Sequence, residues 1–152
     1  MIDYNKLAKI FAKHYCSEIT SFSTEPTAII FSLYASLYNA ALCQDEPFFQ
    51  ETQVDLITRT LAVAGYLDWT YLNEGATSKK SLSFSNCVQG IVLLGQILSA
   101  YQHDKTEVIN VLYSELLDEI LFSEAYCRKL WQNRAGSISS KPLQQDLLNE
   151  LQ

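Results

Sequence analysis

The chain has 152 residues, 48% of them hydrophobic and 18% charged, with a net charge of −6. That length is one ordinary domain able to bury roughly two-thirds of its unfolded surface, and the composition excludes a disordered protein. The acidic balance argues against sequence-independent binding to nucleic-acid backbones, which needs clustered Lys and Arg; it suits a basic protein partner, or solubility alone.

The first segment reads as an amphipathic helix capped by Asp3. Tyr4, Leu7, Phe11, Tyr15, Ile19 and Phe22 recur at steps of three and four, with Lys6, Lys9, Lys13 and Glu18 largely opposite. The lysines interrupt any apolar run of signal-peptide length, so a cytoplasmic protein is expected. Pro26, following Ser23-Thr24-Glu25, starts a second helix. The run from Pro26 to Gln44 carries no charge and is apolar on every helical face. Such a helix is either the buried centre of a bundle or a membrane span, and Ser32, Ser36 and Asn39 favour the bundle. Asp45-Glu46-Pro47 ends it and opens a third helix with Phe48, Val54, Ile57, Leu61 and Ala64 on one stripe and Gly65 as its stop.

Tyr66 to Ser83 is read as a short helix carrying Trp69 and Leu72, then a polar loop with Gly75, Lys79 and Lys80. A nearly uncharged helix from Asn86 to Gln102 follows, with Ser85 as its cap. Asp104 and Glu107 make an Asp-x-x-Glu capping pattern for a long helix reaching Ala135, with Gly136 as its stop. The expected fold is therefore an all-α, single-domain bundle of six or seven helices around the buried helix near 25–44. Residues 1–136 form the helical domain. Residues 137–152 form a short linker and an amphipathic helix, with Leu143, Leu147, Leu148 and Leu151, that docks on that domain or on a partner.

Chemical motifs are weak. His14 and Glu18 share one helix face but lack two further metal ligands, and neither histidine has a Glu three residues before it. No phosphate loop, nucleophile elbow or CxxC pair occurs, so no catalytic, cofactor or metal residues are assigned. Cys16, Cys43, Cys87 and Cys127 are expected as free, buried thiols. Arg128, Lys129, Arg134 and Lys141 flank Trp131, a pattern too sparse to predict nucleic-acid binding. Nine tyrosines and two tryptophans, by contrast, suit a protein interface. Two patches are the candidate partner-binding residues: Tyr66, Asp68, Trp69 and Glu74, and the carboxylates Glu115, Asp118 and Glu119. The function expected is a non-enzymatic interaction protein of immunity or antitoxin type that neutralises a basic toxin or effector enzyme. The alternatives are a secretion-chaperone-like or homodimeric structural protein, or a small-ligand enzyme with an interhelical pocket containing His103 or Cys87.

Overall fold

In the computed structural model, residues 1–43, 49–75, 79 and 82–152 are described. Seven α-helices lie among them: α1 (Tyr4–Ile19), α2 (Pro26–Leu42), α3 (Phe49–Tyr66), α4 (Phe84–Gln102), α5 (Ile109–Ile120), α6 (Glu124–Ala135) and α7 (Lys141–Glu150). A 3-10 turn, Thr106–Val108, leads into α5, and no strand occurs among the described residues. The molecule is an all-α helical bundle. The expected boundary at Asp45-Glu46-Pro47 lies outside the described residues.

Short polar residues start these helices because each can accept from otherwise unpaired first-turn amides. The Asp3 carboxylate accepts from the amides of Asn5 and Lys6, both at 3.1 Å. Pro26 occupies the first turn of α2. α4 starts two residues earlier than expected: Ser83, not Ser85, caps it in a reciprocal box with Asn86.

Two helices close in a way the sequence reading did not anticipate, for one shared reason. Asp68 and Asp104 both adopt left-handed backbone conformations, φ 60° and 55°. The amides of Trp69 and Lys105 then reach back five residues, to the carbonyls of Ala64 (2.9 Å) and Ala100 (2.8 Å). This is the Schellman closure, with aspartate where glycine is commoner. Asp104 therefore ends α4 and does not cap the following helix. Gly65 lies inside α3 and is required for packing: a Cβ there would lie 2.1 Å from the Ala8 carbonyl oxygen of α1.

The long helix expected after Asp104 is two helices. Leu121 turns extended, and it and Phe122 are fully buried. The Ser123 amide donates to the Lys79 carbonyl at 2.7 Å, while the Lys79 ammonium donates to the carbonyls of Asp118 and Glu119 at the end of α5. Ser123 then caps α6.

α1 packs along α3, α2 lies on α3 and α4, and α4 lies on α5. A chain of rings runs through one side of the core: Trp131 to Tyr4 (6.5 Å between centroids), Tyr4 to Tyr71 (5.7 Å), Tyr71 to Tyr113 (6.5 Å) and Tyr113 to Trp69 (5.4 Å). α7 buries Leu143 and Leu147 against α1 and α6, and Asp146 meets His14 Nε2 at 2.8 Å. α2 is less enclosed than its composition suggests. Ile29, Ile30, Leu33 and Leu37 are buried, but Phe31, Tyr38 and Leu42 stand exposed.

Candidate functional site

The aromatic patch expected on the surface around residue 69 turns inward. Trp69 is buried and donates its indole N–H to the Tyr101 hydroxyl at 2.8 Å. Tyr71 is buried too and donates its hydroxyl to Asp118. Burial first, and then that bond, hold the Tyr71 phenol well above its ordinary pKa, so it stays protonated as the donor. Tyr66 is half-buried, Asp68 pairs with Lys9, and of the four candidates here only Glu74 is exposed with no such tie among the described residues. The segment is not helical, because Tyr71 and Leu72 give their amides to Asn5 Oδ1 (2.8 Å) and Ser114 Oγ (2.9 Å).

The carboxylate patch is similarly engaged. Asp118 accepts from the Tyr71 hydroxyl and from Asn73 Nδ2, and Glu119 accepts from Asn86 Nδ2 at 2.8 Å, tying α5 to the 71–73 segment and to α4. Glu115 alone of the three points to solvent without such a tie. Trp131, expected among basic side chains, is buried and donates to Thr58 Oγ1 at 3.1 Å. Its neighbours Arg128 and Arg134 pair with Glu124 and Asp55.

The residues offered for catalysis stay apart. His103 is exposed at the end of α4, with Nδ1 2.9 Å from the Ser99 carbonyl. Cys87 is buried sixteen positions earlier on that helix, about 24 Å away along its axis. Burial raises the Cys87 thiol and pushes Cys127 up to about 11, so both remain protonated and unreactive. Cys16 is exposed and Cys43 half-buried, a correction to the expectation of four buried thiols. No group of three metal-ligating side chains occurs among the described residues.

What the fold does assemble is an uncharged face. α2 exposes Phe31, Ala35, Tyr38 and Leu42 at steps of four, three and four; α4 exposes Phe84, Val88 and Val92 at steps of four. Neither helix contains a charged residue, and the two pack side by side. Their seam is located by Gly95, where a Cβ would lie 3.2 Å from the Tyr34 hydroxyl. On a wheel of about 100° per residue, Phe84 and Val88 lie within about 20° of Gly95, and Tyr38 and Phe31 within about 60° of Tyr34. The helices also meet where a Cβ on Gly90 would lie 2.9 Å from Leu37, and both stripes lie on the exposed side of the pair. Phe31 packs edge-on to Tyr34, 5.4 Å between centroids. Tyr34, Ile91 and Leu98 on the same two helices are half-buried against the core. Phe31 and Leu42 keep 66% and 65% of their surface in solvent.

Comparison of this chain with protein-family models, curated proteins and solved structures finds no match.

Proposed function

We propose that this chain is a non-enzymatic interaction protein that works by docking the groove between α2 and α4 onto an amphipathic helix of a partner protein. The observation that carries this reading is the pair of adjacent apolar stripes on two helices that hold no charge. Two apolar stripes on neighbouring helices accept a helix laid along them, with apolar anchors three and four residues apart. A lipid surface fits less well. Helices that lie on membranes carry Lys and Arg on their flanks, whereas α2 and α4 have none and the chain is acidic. α4 is long and apolar enough to cross a membrane by length and composition, but Cys87, Gly90, Leu94 and Ile97 are buried in protein.

The sharper form, an immunity-like inhibitor covering a basic enzyme, draws on the net charge of −6 and on the open carboxylates Glu74 and Glu115. Asp68, Asp118 and Glu119 are occupied within the molecule, so the apolar groove supplies most of the binding and acidic residues steer the approach. Affinity capture from the source cell with matched baits tests this. A stoichiometric partner should be lost on Val88→Glu or Phe31→Asp and kept on Glu115→Lys. Loss on Glu115→Lys with retention on Val88→Glu would overturn the groove in favour of the acidic patch.

A further inference from the structure

A second site lies at the start of α2, in a cleft of about 340 Å³ bounded by the end of α1, the start of α2, the middle of α3 and the end of α6. That volume falls at the lower end of small-molecule pockets, enough for one compact ligand. The floor is apolar, made by buried Ile29, Ala62 and Val63, with half-buried Ile19 and exposed Ala28 beside it. Four charged side chains line the walls. Two of them, Arg134 and Asp55, neutralise each other in an ion pair across the cleft. The other two, Glu18 and Arg59, are exposed at the rim, and neither side chain makes an ion pair or hydrogen bond among the described residues. The cleft thus offers one free carboxylate, one free guanidinium and an apolar floor.

We propose that this cleft binds a free apolar α-amino acid, its carboxylate on Arg59, its ammonium on Glu18 and its side chain on the Ile29–Val63 floor. A purely anionic ligand would satisfy Arg59 but leave its charge facing Glu18, and a purely cationic one would meet the converse penalty. A zwitterion alone meets both poles. Arg59 suits the carboxylate because its planar fork can bind both oxygens. Phe22, wholly exposed in the connection between α1 and α2, stands among the lining residues and gives the ligand's apolar body a further surface. The site shares no lining residue with the α2–α4 groove and does not depend on it.

The test is calorimetric titration of the whole chain with L-phenylalanine, 3-phenylpropionate and phenethylamine, which share a ring and differ in charge. L-phenylalanine should bind saturably, with the two singly charged analogues at least tenfold weaker. Arg59→Gln and Glu18→Gln should each lose tenfold or more, and Ala28→Trp, which fills the cleft from an exposed position, should abolish binding. Each changes a surface residue, so the fold is retained and its circular dichroism serves as the control. Equal binding of 3-phenylpropionate, survival of binding in Ala28→Trp, or no saturable heat at millimolar L-phenylalanine would each overturn the proposal.

Discussion

The two flanks of this bundle treat polarity in opposite ways. On the flank of α1, α5, α6 and α7, several carboxylates are tied within the molecule, Asp118 to Tyr71 and Asn73, Glu119 to Asn86, Asp146 to His14 and Glu124 to Arg128, while Glu18 and Glu115 stay open. α2 and α4 themselves hold no charges to tie, and large apolar side chains on them face water. The first arrangement stabilises a fold; the second leaves a surface whose hydration can be released to a partner. Aromatic abundance alone therefore does not tell core from surface. Trp69, Tyr71 and Trp131 serve the core, while Phe31 and Tyr38 stand outside.

Trp131→Ala should cost the most, about 3–5 kcal/mol, because it empties a fully buried site and leaves Thr58 without its donor; chemical denaturation measures it. Next, the same substitution should separate the two flanks. Gly65→Ala should lose about 1–3 kcal/mol, since its Cβ meets the Ala8 backbone. Gly95→Ala should be neutral or gain up to about 1 kcal/mol, since its Cβ meets only the movable tip of Tyr34. Equal losses at both glycines would show the flanks to be packed alike.

Acid should weaken the tied flank selectively. The His14 hydrogen bond, helped by Lys13, holds Asp146 below its ordinary pKa. Slight burial works to raise Glu124, but the Ile2 amide, the terminal ammonium and Arg128 outweigh it and the net shift is downward. In both cases the unfolded chain takes up protons first as pH falls. Their stabilisation is thus complete above the ordinary carboxylate range near pH about 4 and drains away below it. Glu124→Gln and Asp146→Asn should flatten the fall of melting temperature with acid, and an unchanged slope would contradict these ties. The smallest effect on folding belongs to the groove: Val88→Glu should shift stability by no more than about 0.5 kcal/mol while removing the partner.

Much of the fold was legible in local signals. Asp3, Pro26 and Gly136 mark the expected ends, and three- and four-residue steps mark the helices. Asp68 and Asp104 were harder, because aspartate is read as a helix start and only the backbone reveals its left-handed use. The break at Leu121-Phe122 carries no Gly or Pro; Ser123 followed by Glu124 was the available cue. The apolar stripes of α2 and α4 were also present in the sequence, as was a charge content below the usual quarter. Their union into one groove was not, because it depends on two helices separated by α3 lying side by side. The convergence of Glu18 and Arg59 on one cleft was invisible too, because it depends on α1 packing along α3.

The central claim is that the α2–α4 groove is the working surface. It is tested most directly by placing a photo-crosslinking amino acid at Phe31, Tyr38, Val88, Glu74 or Glu115 and irradiating the source cell. The account predicts one shared adduct from positions 31, 38 and 88 and none from 74 or 115. An adduct confined to 74 and 115, with the groove positions silent, would contradict it.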